Sequence, residues 1–411
     1  MKALVLGYGV SGKSASHLLK KQGYEVFVYD DNFSVNVPLD VDLVVKSPGI
    51  PQNHPLLEKL RKRGVEVIGE VELAFRFCKG KIVSVTGTNG KSTTTALIYN
   101  VLKKSFDNVF IGGNYGIPFS SFVEETKDKS ITVLELSSFQ IEDLINFESD
   151  VGVILNVTPD HLNRYSSFES YAEVKKSLVN RCYVSVLNYD DSVLKNVSGN
   201  VRFFSLREKK DAYFDGKFIV VDGHRLLVED LPLKGIHNVE NYMAASLALL
   251  ELGLEWSVIE EGFRGFKGLP HRVEKVGTVR GVTFINDSKS TNVDSLKKAL
   301  LSFNDIVLIA GGVDKGLDFS PILPLLEKKV KAAVVMGDMA DKLEKLFSSV
   351  VPVEKAETME EAVKLAYDLA NGSGTVLLSP GCASFDMFKN FEERGEVFKT
   401  CVKRLEAEIE S

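Results

Sequence analysis

The run Thr86-Gly87-Thr88-Asn89-Gly90-Lys91-Ser92-Thr93 follows the β-branched stretch Ile82-Val83-Ser84-Val85 and precedes a segment of helical character through Leu102. A glycine-rich turn in that position aims backbone N–H groups and a helix N-terminus at phosphate oxygens. Lys91 adds a point charge and Ser92 a hydroxyl oxygen for Mg²⁺. The usual spacing has one more glycine, where this chain has Val85. The strand–loop–helix context still points to ATP, held by Gly87, Thr88, Asn89, Gly90, Lys91, Ser92 and Thr93.

Glu135 closes the apolar run from Ile131 and is followed by Leu136-Ser137-Ser138-Phe139-Gln140. A carboxylate there suits Mg²⁺ beside phosphates, with a capping carboxylate as the plain alternative. His161 lies in Asn156-Val157-Thr158-Pro159-Asp160-His161-Leu162-Asn163-Arg164-Tyr165. After a strand it either meets a second metal or serves as an ordinary hydrogen-bonding residue. At the amino end, Gly7-x-Gly9-x-x-Gly12 follows Ala3-Leu4-Val5-Leu6 and is itself followed by Asp30 at a strand end. That is the form of a dinucleotide-binding turn. The same geometry holds any diphosphate, including that of a nucleotide sugar, and also occurs as a structural tight turn, so NAD and other nucleotides both stay open.

These residues need strand ends to hold them. Short apolar runs at 3–6, 26–29, 43–45 and 65–68 alternate with helical stretches, as in β-α-β-α units on a parallel sheet. A second such set starts at Lys81, with later strands at 131–136 and 151–155. Asp-Gly at 215–216 and 222–223 predicts antiparallel hairpins within 200–233, and an Ala- and Leu-rich helix is expected over 238–252. A third set has strands near 282–285, 305–310, 332–336 and 374–378. The expected fold is α/β in three domains. They are a Rossmann-like N-terminal domain (1–79), a central P-loop ATPase domain with a mostly parallel sheet and a small antiparallel edge (80–267), and a Rossmann-like C-terminal domain (268–411).

Composition narrows the class. Among 411 residues, 44% hydrophobic and 26% charged is ordinary globular material, and a net charge of −6 argues against bulk nucleic acid as a partner. Four scattered cysteines without CxxC spacing suggest neither a disulfide framework nor a zinc ribbon, which fits a reducing compartment. The start reaches Gly7 too soon for a signal-peptide core, and no run approaches the roughly eighteen apolar residues of a membrane span. A cytoplasmic, monomeric enzyme is expected.

Taken together, Gly87 to Thr93, Glu135 to Gln140, Asp160-His161, Tyr171-x-x-x-Lys175, His237-Asn238-x-x-Asn241, His271-Arg272 and Asp287-Ser288-Lys289 resemble the Mur ligases, in the family's order along essentially the whole chain. These are ATP-dependent amino-acid ligases of peptidoglycan precursor synthesis. Ser47-Pro48-Gly49-Ile50-Pro51, Asp287 to Asn292, Ser379 to Asp386 and Phe388 to Gly395 are similar to the branch that adds D-glutamate to UDP-N-acetylmuramoyl-L-alanine. The diamino-acid motif Asp-Asn-Pro-Arg is absent.

The resemblance implies catalytic roles for Lys91, Glu135, His161 and Lys175, and nucleotide contacts from Asn238, Asn241, Arg272 and Asp287. It implies UDP-substrate contacts from Ser11, Gly12, Asp30, Ser47 and Asn114, and a D-glutamate pocket of Thr291, Lys315, Ser384 and Phe391. Ignoring the family, Asn238 and Ser384 read as helix caps and Lys289 as a surface lysine. Two Mg²⁺ sites follow, one at Ser92 and Glu135, the other near His161 and a carbamylated Lys175. An unmodified lysine would repel the metal, whereas nearby cations favour both the neutral amine and the carbamate. Lys176 is the neighbour with which Lys175 could exchange roles. The rival classes are a nucleotide-binding regulator without ligase activity and an NAD-linked oxidoreductase.

Overall fold

The computed structural model describes residues 1–30, 37–160, 164–314 and 316–410. They form two compact units, Met1–Phe266 and Lys267–Ser411. The first unit holds two sheets, one made of strands up to Gly69 and the other of strands from Lys81 on, with no division between them at 79/80. Its first sheet is wholly parallel, in the order Glu25–Tyr29, Lys2–Leu6, Leu43–Lys46, Glu66–Gly69. Register sets Leu6 level with Tyr29 and Lys46, and Lys46 level with Gly69. Gly7, Asp30, Ser47 and Glu70 therefore leave along one carboxyl edge, where open α/β sheets take ligands.

The second sheet has nine strands, in the order His224–Leu227, Phe218–Val221, Ala212–Phe214, Val201–Ser205, Cys182–Asn188, Ser149–Ile154, Lys81–Thr86, Ile131–Glu135, Val109–Gly113. All pairs are parallel except the two hairpins at the first-named edge, which turn at Asp215-Gly216 and Asp222-Gly223 as the sequence predicts. Val201–Ser205 departs from that expectation. It runs parallel to both its neighbours, because residues 206–211 cross back over its end and Asp211 accepts the Phe203 N–H at 2.7 Å. Lys91–Ser105 is buried from Ser92 to Ile98 and packs against helices Ile236–Glu251 and Trp256–Arg264. At the second crossing Gly262 is required, since a Cβ there would lie 2.6 Å from Val101.

One continuous core joins the two sheets of this unit. Val71, Leu73 and Ala74 of helix Glu70–Phe75 share it with Phe119, Phe122, Val123 and Phe147. The same helix contributes a buried polar clamp. The Glu72 carboxylate accepts the backbone N–H groups of Ile145 (2.9 Å), Asn146 (3.0 Å) and Phe147 (3.0 Å).

In the second unit six strands run in the order Glu274–Val279, Val282–Asn286, Gly374–Leu378, Ile306–Gly311, Val330–Met336, Val353–Lys355, with only the first pair antiparallel. Alternate residues of Ile306–Gly311 serve two cores. Val307 and Ile309 face helices Met359–Ala370 and Phe391–Glu410, while Leu308 and Ala310 face Val293–Leu301, Leu323–Lys329 and Ala340–Phe347. Strands Val109–Gly113, Cys182–Asn188, Glu274–Val279 and Val353–Lys355 add to the expected set. The last two are half-exposed edges with weak alternation. Among the described residues no helix is long and apolar enough to cross a membrane.

Replacing Glu72 with Ala strands three backbone donors and should cost about 4 kcal/mol. Urea unfolding of the Glu72→Ala variant checks this, and a loss below about 1 kcal/mol would mean that water or a shifted loop satisfies those donors.

Candidate active site

Sheet register assembles the centre. Val85 pairs with Glu135, Thr86 with Ile154, and Glu135 with Gly113. The turn Gly87–Gly90, the segment after Glu135, the loop from Leu155 and Asn114 therefore emerge side by side. Gly90 takes a left-handed conformation (φ 86°) as the helix begins at Lys91. A Cβ on Gly90 would come within 2.5 Å of Asn241 Oδ1, so the turn accepts only glycine there.

The turn is pinned from outside. Thr88 N–H donates to the Asn156 carbonyl (2.9 Å), Asn89 N–H to Asn156 Oδ1 (2.8 Å), and Thr158 N–H to Thr88 Oγ1 (3.0 Å). Thr88 Oγ1 also meets the Tyr171 hydroxyl at 3.0 Å. Asn156 and Thr158 belong to a segment that the sequence singled out for His161. Their own signal is their position directly after a strand that pairs with the phosphate-loop strand.

Lys91 Nζ donates to the Gly87 and Thr88 carbonyls, both at 2.9 Å. Lys175, on helix Phe168–Lys176, is 1% exposed and donates to the Gly87 carbonyl (2.9 Å) and Thr86 Oγ1 (3.2 Å). Burial, and then the charge of Lys91, hold its amine well below the ordinary lysine range. Lys176 points elsewhere and pairs with Glu173 at 2.5 Å, so Lys175 is the lysine of the centre.

Glu135 is buried. Asn114 Nδ2 donates to its Oε1 at 2.6 Å, while Oε2 has no hydrogen-bond partner among the described residues. A carboxylate oriented through one oxygen, with the other bare and buried, is what a hard cation requires, and Ser92 lies in the first turn of the facing helix. No group of three His, Cys, Asp or Glu side chains converges among the described residues. His161 and Lys315 lie outside them. Asn241 accepts from Thr94 Oγ1 (3.2 Å) and donates to Asn238 Oδ1 (3.0 Å), which brings the Asn238–Asn241 pair to the phosphate-loop helix. Asn238 is not a cap, since helix Ile236–Glu251 is capped at Gly235.

On the first sheet, a Cβ on Gly12 would fall 1.9 Å from the Gly7 carbonyl, so helix Val10–Lys21 and its glycine turn approach closely. Asp30 Oδ2 accepts the Tyr8 N–H (2.7 Å), and Ser47 Oγ donates to the Gly7 carbonyl (2.7 Å). Ser11 lies in the first turn of that helix. Gly12, Asp30 and Ser47 thus meet at one turn, while Asn114 belongs to the Glu135 carboxylate.

In the second unit, Asp287 is buried, accepting from Ser379 Oγ (2.8 Å) and Val273 N–H (3.2 Å). Burial pushes its carboxyl up to about 6 against the hydrogen bond from Ser379 and the charge of Arg272. Lys289 is no solvated lysine: its Nζ lies over the Phe391 ring, 5.7 Å from the centroid. Thr291 precedes Asn292, whose side chain caps helix Val293–Leu301. Ser384 is buried and caps no helix, for Asn390 accepts the Glu393 N–H in the first turn of Phe391–Glu410. Arg394 on that helix donates to the Ser288 and Cys382 carbonyls and to Ser288 Oγ, whose proton goes to the Phe391 carbonyl. This arginine therefore fastens the segments of Thr291, Ser384 and Phe391 to one another.

Comparison with known proteins agrees along the chain. Residues 85–249 match the family model described as the Mur ligase middle domain, and residues 271–382 the one described as Mur ligase, glutamate ligase domain. The UDP-N-acetylmuramoylalanine--D-glutamate ligase of Aquifex aeolicus is 43% identical over 98% of this chain and 99% of its own length. That of Caldicellulosiruptor saccharolyticus is 40% identical, again over 98% and 99%. Among solved structures, a UDP-N-acetylmuramate-alanine ligase from Thermotoga maritima superposes with a TM-score of 0.66 at 20% identity, covering 99% of this chain and 100% of that one. A MurF ligase from the same organism in complex with ADP gives 0.59 at 19% identity, with 89% and 90% covered. The structures share the fold.

The Asp287 carboxyl titrates in the folded chain near 6 instead of its ordinary 3.8. Between those values the unfolded chain has given up the proton and the folded chain keeps it, so this residue lowers stability as pH rises through the window. Urea unfolding of the parent and Asp287→Asn at pH 4 and pH 7 should show the variant gaining about 2 kcal/mol on the parent over that interval. A difference that does not change with pH would place the Asp287 carboxyl at its ordinary value.

Proposed function

The chain belongs to the Mur ligase family, and on that premise we propose that it joins UDP-N-acetylmuramoyl-L-alanine to D-glutamate while ATP is split to ADP and phosphate. The observation that carries the reading is the meeting of a phosphate loop, a half-coordinated carboxylate and a buried lysine at one sheet edge. It stands in a chain matched nearly end to end by D-glutamate ligases.

A carboxylate is a poor electrophile. Transfer of the γ-phosphoryl group to the alanyl carboxylate gives an acyl phosphate and ADP. The D-glutamate amine then attacks the carbonyl carbon and gives up a proton to solvent, the tetrahedral oxyanion collapses to the amide, and phosphate leaves with the carboxylate oxygen. Every partner is an anion, so the protein's task is charge. Lys91 leaves the loop carbonyls to meet phosphate oxygens, with the helix N-terminus behind it. Magnesium bound at Ser92 and Glu135, with a second ion toward His161 and Lys175, would neutralise charge developing on the transferred phosphoryl group. Asn238, Asn241, Arg272 and Asp287 are assigned to the nucleotide. Ser11, Gly12, Asp30 and Ser47 are assigned to the UDP-substrate, with Asn114 acting through Glu135. Thr291, Lys315, Ser384 and Phe391 are assigned to D-glutamate.

Lys175 is assigned a carbamate. Its burial favours the neutral amine, which adds carbon dioxide and releases a proton, and the resulting anion then sits beside Lys91 instead of repelling it. The reaction belongs to the cytoplasmic stage of peptidoglycan precursor synthesis.

Phosphate release should require ATP, the UDP-sugar and D-glutamate together. Preference for L-alanine, a diamino acid or a D-alanyl dipeptide, each with its matched acceptor, would overturn the reading. Lys175→Ala should lose nearly all activity and regain part of it in acetate, which supplies the missing anion. Near-normal activity of that variant, or loss and rescue in Lys176→Ala instead, would refute the carbamate.

A further inference from the structure

The turn Ser47–Ile50, assigned above to the UDP-substrate, has four consecutive carbonyls turned onto two cations. Lys46 Nζ donates to the carbonyls of Ser47 (3.4 Å) and Ile50 (3.0 Å). Arg164 donates to those of Pro48 (3.3 Å), Gly49 (3.2 Å) and Ile50 (3.1 Å). The counter-charges are adjacent residues of the segment that follows Glu135. Lys46 pairs with Asp143 at 2.8 Å, both buried, and Arg164 faces Glu142 at 3.6 Å. Gln52, just past the turn, donates to both carboxylates and is held by Arg61.

We propose that Lys46 and Arg164 are positioning residues that fix the UDP-substrate turn Ser47–Ile50 in register with the Glu135 segment and the phosphate loop. The proposal rests on the function proposed above. A planar guanidinium with five donors is the one side chain able to hold three neighbouring carbonyls and still face a carboxylate. It also continues the path toward phosphate. Arg164 lies over the Phe139 ring, 4.4 Å from its centroid, and that ring stacks with Tyr165 at 6.0 Å. Tyr165 meets Tyr171 edge-on at 5.3 Å, and the Tyr171 hydroxyl reaches Thr88. From the other side Ser47 Oγ binds the Gly7 carbonyl, so the same turn orders the glycine turn of the first sheet. The chain of contacts therefore runs without a gap from the first sheet's carboxyl edge to that of the second.

If these groups were only cement, substitutions would lower stability and leave each folded molecule's kinetics unchanged. A positioning role predicts a split. In the full chain, Arg164→Ala should raise KM for UDP-N-acetylmuramoyl-L-alanine about tenfold or more and leave KM for ATP and D-glutamate as they are. Arg164→Lys should fall between, since one ammonium keeps the pairing with Glu142 but cannot span three carbonyls. The double variant Lys46→Met with Asp143→Leu leaves no orphan buried charge and should keep the parent's melting temperature within a few degrees. Its KM for the UDP-substrate should nevertheless rise.

Hydrogen exchange read without substrates should show residues 47–52 of Arg164→Ala losing protection while the phosphate-loop helix keeps its own. Unchanged exchange there, or three KM values moving together with stability, would overturn the proposal. The parent's own requirement for D-glutamate is read in the same assays. Its absence would overturn the function while the exchange result still decides the clasp.

Discussion

A lysine amine 1% exposed, set 2.9 Å from the carbonyl of the glycine-rich turn Gly87–Gly90 and next to a second lysine, is the constraint around which this part of the first unit is organised. Buried there, an ammonium is disfavoured by lost hydration and by the charge of Lys91, which the charges of Asp160 and Glu135 offset only in part. The balance is shifted toward the neutral amine, the form that is a nucleophile toward carbon dioxide. Much of the local structure serves to hold that amine in place. Thr86 Oγ1 accepts from it while donating its own proton to the Leu136 carbonyl at 2.7 Å. Tyr171, one helical turn earlier, lays its ring beside the amine and its hydroxyl on Thr88.

Parallel pairing does the rest. Because Val85, Glu135 and Gly113 are level across three strands, a loop, a carboxylate and an amide from distant parts of the chain arrive together. No local sequence argument places Asn114 against Glu135, since the neighbour relation comes from a strand order that does not follow chain order. The phosphate turn itself is held by Asn156 and Thr158, so its shape is imposed by the adjacent loop as well as by its own glycines.

What the sequence made legible follows from the same physics. Local rules sufficed for the strand–turn–helix around Gly87–Gly90, despite Val85 in place of a glycine, for the α/β alternation and for the Asp-Gly hairpins. Tyr171 and Lys175 could be put on one helix face by spacing, but only burial distinguishes Lys175 from Lys176. Lys46 is a lysine at the end of an apolar strand, and Arg164 follows a loop noticed for its histidine. Neither has a periodic signal, because their partners are backbone carbonyls brought near by tertiary packing. Val201–Ser205 misled for a similar reason: its Phe-rich run is compatible with either pairing direction, and the return of residues 206–211 decides it.

Lys175 is proposed to add carbon dioxide through its amine and so become an anion. Carbon-13 NMR of the full-length protein in labelled bicarbonate tests it most directly. One protein-bound carbamate resonance is expected in the parent and in Lys176→Ala, and none in Lys175→Ala. No carbamate in the parent, or one that survives in Lys175→Ala, would contradict it.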